Sequence, residues 1–485
     1  MTGIVAYGGY VPRLRLDRKT VVEANAWFNS AIKGLAKGER AICNWDEDTL
    51  TMAVEAARDC LADAVPDELA AVHLASTTLP FADRQNAGVL AAALNLAEAI
   101  QTMDVTASQR AGTSGLINAL AGAGAKGSAP VLYVASEKRR AKSAGAQELQ
   151  IGDGAAALLL GKQNVIAEFL GAYQLAVDFV DHYRGQNEEF DYAWEERWIR
   201  DEGYLKIVPR ALEGLFAKTK LKPGDVDHFA MPSVVRPVPG RVAKAAGIAD
   251  GAVRDTLHGV MGEAGTAHAL VMLVDALQDA KPGDTIVVLG WGQGCDALAF
   301  RATDALKKLA PRQGIKGYLK RRRAETNYNR YLAFNNLVVQ EKGIRAEADI
   351  STPPSALYRK RDMITGFIGG RCRTCGTAQF PKTNVCVNPN CGEFHSQDPM
   401  PFADIPAKIL SWTADNLTYS PDPPAHFGMV VFEEGGRLMA DLTDVDVGGV
   451  SVGMPMRMVF RVKGRDQRRG FTKYFWKAAP DHSRL

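Results

Sequence analysis

The 485-residue sequence predicts an α/β fold made of two similar halves, followed by a small metal-holding ribbon and an all-β barrel. Three observations predict it. Short apolar runs bounded by turn residues alternate with helical patterns up to about residue 303, as the buried strands of an α/β sheet do. The order of those runs repeats, since residues 226–232 echo 71–77, and residues 285–300 echo 131–137 followed by 152–158. Further on, four cysteines crowd into residues 372–391, and residues 401–478 alternate apolar and polar in short stretches.

Composition narrows the class. With 46% apolar residues the chain has material for two or three domains, each with its own core. Its 58 basic and 55 acidic residues leave a net charge of +3, too balanced for a global field that would hold nucleic acid, so any anion site is local. The N-terminus lacks the basic and apolar regions of a signal peptide, and no apolar run is long enough to span a bilayer, which points to the cytoplasm. In that reducing setting Cys43, Cys60 and Cys295 are expected as free thiols.

In chain order, residues 3–16 read as a strand ending in a turn, and Asp46, Glu47 and Asp48 open a helix whose dipole their charges suit. Strands are expected at 71–75, 130–135 and 155–160. Between the first two, residues 104–116 form an elbow where a β-branched strand end meets a Gly- and Ala-rich helix, 111–125. A side chain at its apex, Ser108 or Gln109, stands at the mouth of a buried helix whose free N–H groups favour a developing negative charge. The two halves are placed at 1–165 and 166–303. Residues 306–324 carry eight Lys or Arg and no acid, which marks a basic helical linker over 304–360, with a second joint at the prolines of 351–358.

Cys372, Cys375, Cys386 and Cys391 then sit on two knuckles, each followed by a glycine, Gly376 or Gly392. Four thiolates suit tetrahedral Zn²⁺ and leave no open position, so the metal of this ribbon, 361–400, is structural. About five short strands fill 401–485 and fit a small β-barrel.

Taken together, the Asp46–Thr49 stretch, the elbow, the glycine motifs at 152, 262 and 290–294 and the ribbon resemble the thiolase superfamily. Within it, they resemble its 3-hydroxy-3-methylglutaryl-CoA synthase-like branch, fused to a rubredoxin-like zinc ribbon and OB-fold. The resemblance covers nearly the whole chain. It implies a five-layered αβαβα fold, a homodimer formed through the thiolase-like part, and coenzyme A thioesters as ligands. It also implies a Cys, Glu and His catalytic set, which this sequence lacks: the elbow offers Ser108 or Gln109, the Glu position falls near Thr77, and the His position is Ala230.

Candidate catalytic residues in their place are Ser108, Glu263, His228, His268 and Cys295, with an oxyanion hole at Ser108, Gly292 and Gly294. Arg139, Arg140 and Lys142, together with Arg468 and Arg469, are the expected contacts to CoA phosphates. Aromatic residues between 177 and 198, among them His182 and Trp194, suggest a bulky or aromatic acyl group. Without an elbow thiol, CoA-dependent retro-Claisen cleavage of a β-keto acid or β-ketoacyl-CoA is the expected activity. Claisen condensation and a non-catalytic acyl-CoA-binding scaffold are the alternatives.

Overall fold

A computed structural model of the protein describes residues 1–62, 68–347, 351–482 and 484. Its chain divides into two compact units. The first comprises Met1–Asn44, Met52–Gly88 and Glu98–Asn335, and the second Trp45–Thr51, Val89–Ala97 and Asn336–Leu485.

In the first unit β1 (Gly3–Tyr10) leads into two short strands, β2 (Leu14–Asp17) and β3 (Glu39–Ile42), which pair antiparallel. Next come β4 (Ala71–Ala75), β5 (Gln101–Val105), β6 (Val131–Glu137) and β7 (Gly154–Gly161), hydrogen-bonded in the order β1-β7-β6-β4-β5. The second half repeats this plan. It opens with β8 (Ala167–Ala176) and a hairpin of β9 (His182–Tyr183) and β10 (Tyr192–Ala193). After them β11 (His228–Ala230), β12 (Thr285–Trp291) and β13 (Gly294–Ala302) complete the order β8-β13-β12-β11. An isolated Phe229–Val253 bridge marks the place of the fifth strand. Antiparallel pairing of Gly3 with Glu168 and Ile4 with Ala167 joins the two sheets. Every residue of β6, β7 and β12 is buried, which is why their sequences run apolar without alternation.

Between the sheets lie the helices Ala111–Gly124 and His268–Leu277, which pack on each other and on strands of both halves. The small residues of the first are a steric requirement. A Cβ on Gly112 would lie 2.1 Å from the Thr266 carbonyl oxygen, and one on Gly115 would lie 2.3 Å from the Tyr133 hydroxyl. Helix Thr49–Leu61 covers the first sheet, with Ala56 and Cys60 against Gly8. Leu205–Thr219 and Val238–Ala246 cover the second. The result is the αβαβα layering that the resemblance implied.

The basic segment after residue 304 is not a linker at its start. Residues up to Asn335 fold into the first unit, and β14 (Arg323–Glu325) pairs parallel with β2. Asp59 accepts the backbone N–H groups of Gln313 and Gly314, Arg312 donates to the Cys60 carbonyl at 2.6 Å, and Arg322 pairs with Glu39. The charges of Arg312 and Arg322 thus have intramolecular partners, which composition alone cannot show. Among the described residues, no helix is long and apolar enough to cross a membrane.

In the second unit β15 (Ile368–Cys372) lies between β16 (Ala378–Gln379) and β17 (Gln397–Pro401). Five antiparallel strands follow: β18 (Ala407–Asp415), β19 (Ala425–Phe432), β20 (Arg437–Asp441), β21 (Pro455–Asp466) and β22 (Phe471–Pro480), in the order β20-β19-β18-β21-β22. A Leu442–Ala478 bridge brings the two ends together as a barrel. Phe367, Phe402, Phe432 and Trp476 form its aromatic core next to the ribbon.

The Asp46–Thr49 stretch has a different role from the dipole partner that its sequence suggests. Asp48 does cap the helix, accepting the Thr51 N–H at 2.9 Å. The other acids meet buried cations of the barrel, however: Lys477 lies 2.9 Å from Asp46, and Arg461 lies 3.1 Å from both Glu47 and Asp444. The Tyr474 hydroxyl donates to Asp48 at 2.7 Å.

Candidate active site

A cavity of about 330 Å³ opens in the first unit at the C-terminal ends of the strands, with Gln109, Arg139, His182, Tyr204, Glu263 and Trp291 among its walls. The elbow delivers the first of these. Ala107 takes a left-handed backbone with φ of +74°, which turns the chain sharply between β5 and the buried helix. As a result Gln109 faces the cavity and Ser108 does not. The Ser108 hydroxyl instead donates toward the Gly292 carbonyl at 3.3 Å and Gln293 Oε1 at 3.2 Å, and it accepts the Arg110 N–H. The glycines of the facing loop permit this approach, because a Cβ on Gly292 would lie 2.9 Å from the Ser108 hydroxyl.

Four candidates from the sequence fall away from the reacting space. The Cys295 side chain is fully buried in the apolar core shared with the outer helices, where burial pushes its thiol far up. His228 sits at the start of β11, remote from the strand ends that line the cavity, and its Nε2 meets Asp284 at 3.1 Å. His268 is locked as a neutral ring: Nδ1 accepts the Ala264 N–H at 3.0 Å, Nε2 meets the Thr256 carbonyl at 2.8 Å, and burial lowers its pKa. The Gly292 N–H is committed to the Gly294 carbonyl at 3.2 Å and is not an oxyanion donor in this arrangement. For His268 and Cys295, proximity to a glycine motif in sequence does not set which layer a side chain enters.

Glu263 does reach the cavity, paired with Arg139 at 3.1 Å. Arg139 is accordingly a wall residue whose charge is met by two acids. It is buried between Glu263 and Asp191, the latter at 2.7 Å. Arg140 pairs with Glu189, donates to the Asn335 carbonyl at 2.9 Å and covers the Phe190 ring, while Lys142 is exposed. In the second unit, Arg469 meets Asp466 at 3.2 Å in the turn between β21 and β22, and Arg468 is exposed.

Two features escape a linear scan. Near Thr77, where the resemblance sets a glutamate, a carboxylate comes from the neighbouring strand: Glu137 accepts from Ser76, from Thr77 N–H and hydroxyl, each at 3.1 Å, and from the Thr266 N–H. With no exposed surface it ties three segments together. The second is Asp181–His182. His182 Nδ1 lies 3.0 Å from Asp181, whose other oxygen takes the Trp291 indole N–H at 2.9 Å. Burial alone would raise the Asp181 carboxyl, but the hydrogen bonds from His182 and Trp291 outweigh it and hold the pKa below the ordinary value. Tyr204, packed on Trp291 with ring centroids 4.5 Å apart, is driven up by burial and by the nearby Asp181 and Glu263, so its phenol keeps its proton. Only the consecutive Asp and His in an aromatic loop hinted at this pair.

In the ribbon, the sulfurs of Cys372, Cys375, Cys386 and Cys391 lie within 4.8 Å of one another. Tetrahedral Zn–S bonds of about 2.3 Å imply sulfur separations near 3.8 Å, and the Cys375–Cys386 and Cys372–Cys391 pairs lie at 3.5 and 3.9 Å. Gly376 and Gly392 have φ of +73° and +62°, the left-handed turns that both knuckles need. The four residues fit a structural zinc, which supplies a cross-link in place of a larger apolar core.

Over 350 residues the chain is 33% identical to the hydroxymethylglutaryl-CoA synthase of Aeropyrum pernix, covering 70% of this chain and 96% of that one. The chain belongs to the hydroxymethylglutaryl-CoA synthase family. It is accordingly an enzyme of the thiolase superfamily. Among solved structures, MvaS in complex with 3-hydroxy-3-methylglutaryl coenzyme A matches with a TM-score of 0.58 at 21% identity, over 82% of this chain and 99% of that one. An HMG-CoA synthase complexed with CoA matches with a TM-score of 0.56 at 15% identity, over 83% and 100%. These likenesses support the fold. Residues 366–395 match the model of the ChsH2 rubredoxin-like zinc ribbon domain, and residues 403–461 that of the ChsH2 C-terminal OB-fold domain. This member of the hydroxymethylglutaryl-CoA synthase family therefore combines the thiolase fold with a zinc ribbon and OB-fold in one chain.

Proposed function

We propose that the chain, as the homodimer its family resemblance implies, cleaves the carbon–carbon bond of a β-keto acid or β-ketoacyl-CoA with CoA as the attacking thiol. One observation carries this: the elbow residue that faces the cavity is Gln109, a carboxamide without nucleophilic character, while Ser108 and Cys295 are turned away or sealed. Family relatives known as complexes with CoA support a CoA thioester in the cavity. CoA sulfur forms a bond to the keto carbon, and the adduct collapses with rupture of the bond to the α carbon. The departing α carbon keeps the electron pair and takes a proton, so the products are a new acyl-CoA and a shortened acid or thioester. Condensation through an enzyme-bound acyl group would need the thiol that is missing.

The cavity also bears on the acyl group. An apolar site of roughly 150 Å³ accommodates benzene, and this one is about 330 Å³ with Trp194, Trp291, Ile199, Val234 and Val235 in its walls. A bulky or aromatic acyl group suits it. A panel of β-keto acids and β-ketoacyl-CoAs, read by acyl-CoA formation and consumption of free CoA thiol, is expected to show cleavage with no covalent adduct in intact-protein mass spectra. Gln109→Cys is expected to become alkylated by iodoacetamide at position 109 and to trap an acyl group there, whereas the parent protein carries neither modification at that position. An acyl adduct on Ser108 or Cys295 of the parent, or net condensation, would overturn the proposal.

CoA phosphates need cations at the surface, and Arg140 and Lys142 follow the wall residue Arg139 in the chain. The Arg140→Ala/Lys142→Ala variant is expected to bind CoA several-fold more weakly by calorimetry, with the deficit shrinking as salt is added. Arg468→Ala/Arg469→Ala serves as the parallel test for the barrel turn. Unchanged affinity in both variants would remove these clusters as the phosphate site.

A further inference from the structure

His182 opens β9 with hydrogen-bonding groups on both sides of its ring. On one side, Asp181 accepts the His182 backbone N–H at 2.8 Å and meets Nδ1 at 3.0 Å, and the Trp291 indole fixes the second carboxylate oxygen. A carboxylate held this way only accepts, so Nδ1 carries hydrogen. On the other side stands Gln109. The Arg139 guanidinium can only donate, which turns the Gln109 carboxamide oxygen toward it, with contacts of 2.8 and 3.2 Å. That same oxygen lies 2.9 Å from His182 Nε2, so the second ring nitrogen is also placed as a donor. Three N–H groups thus converge on one carbonyl oxygen at the position where the family's nucleophile would stand.

Resting on the cleavage proposed above, we propose that His182 is the catalytic acid, giving its Nε2 proton to the α carbon released on bond rupture, and that Asp181 is its positioning residue. The protons and electrons balance. CoA enters as the thiolate and forms the C–S bond; the C–C bond breaks with its electron pair on the α carbon; Nε2–H supplies the proton to that carbon. The neutral ring is then recharged from solvent by the proton that the CoA thiol had released. Gln109 holds the donors until the substrate oxygen takes its place. The charged groups facing the ring are Asp181 beside it, Arg139 across Gln109, and Glu263 and Asp191 behind Arg139, while the Tyr204 phenol is neutral.

The test compares the parent protein with His182→Gln, His182→Ala and Asp181→Asn. All four are checked first for an unchanged thermal transition and unchanged CoA affinity. His182→Gln is expected to lose about 10²–10⁴-fold in kcat with KM little changed, in line with removal of a general acid. Added imidazole is expected to restore part of the loss in His182→Ala. Asp181→Asn keeps an acceptor for Nδ1 but removes the charge, so its kcat falls less than that of His182→Gln while KM is held. A His182→Gln enzyme with the parent's kcat overturns the assignment. A second readout is independent of net cleavage: exchange of the acetyl-CoA methyl protons in D₂O, the reverse of the protonation step. A panel without any acyl-CoA product overturns the cleavage proposal alone, and the exchange assay still decides the histidine. Exchange by the parent that is lost in His182→Gln supports the assignment, and equal exchange in both, or none in the parent, refutes it.

Discussion

Cys375→Ser is expected to release the zinc and unfold the ribbon, with loss of order through residues 361–485 while the first unit stays folded. The size of the effect follows from how little else holds β15 to β17. Their sheet has three strands of two to five residues, and Cys375 and Val385 are exposed. Structural zinc supplies an apparent binding free energy of about 10–16 kcal/mol, and in a site without a preformed apo state that is folding free energy. Elemental analysis is expected to fall from one zinc per chain to none, and hydrogen exchange to rise in β15–β17 and in the aromatic core around Phe367 and Phe402 that leads into the barrel. Undiminished zinc in the variant would refute the ligand set. Protection unchanged in the barrel would confine the metal's influence to the ribbon.

Arg461→Ala is the second large effect, a loss of about 3–5 kcal/mol, because removing one partner of a buried ionic cluster strands the others. Arg461 has no exposed side-chain surface and faces Asp46, Glu47 and Asp444, so its removal leaves three buried carboxylates with Lys477 as their neighbouring cation. Urea denaturation monitored by Trp476, which is buried in the same unit, reads the loss. Neutralising part of the stranded charge in Arg461→Ala/Glu47→Gln/Asp444→Asn is expected to recover stability relative to Arg461→Ala. A single-variant loss under about 1 kcal/mol, or no recovery in the triple variant, would show that the cluster is solvated and contributes little.

Much of the architecture was legible in the sequence. The duplicated order of apolar runs became two sheets with matching strand order, the glycine-rich stretch became a helix between them, and the cysteine spacing became four converging sulfurs. The site was legible at the elbow but not in its occupants. His182 appeared in the sequence as one of several aromatic wall residues, and the partners that give it chemistry are Gln109, 73 positions earlier, and, through Asp181, Trp291, 110 positions from that aspartate. Arg139 looked like a phosphate contact because its run is basic, yet its acids arrive from Asp191 and Glu263 in other segments.

The sequence by itself determined what depends on local spacing. Strand and helix periods follow from which side chains alternate, the ribbon from the reach between neighbouring thiolates, and the lack of an elbow thiol from the residue types present there. Only the tertiary structure decided the facing of side chains and the fate of charges. A left-handed Ala107 chose Gln109 over Ser108 for the cavity, the layer behind β13 buried Cys295, and the barrel's Arg461 and Lys477 claimed the acids of the Asp46–Thr49 stretch. The physical reason is that a charge or a proton donor acts over a few ångströms of space, and which groups share that space is settled by packing between segments far apart in the chain.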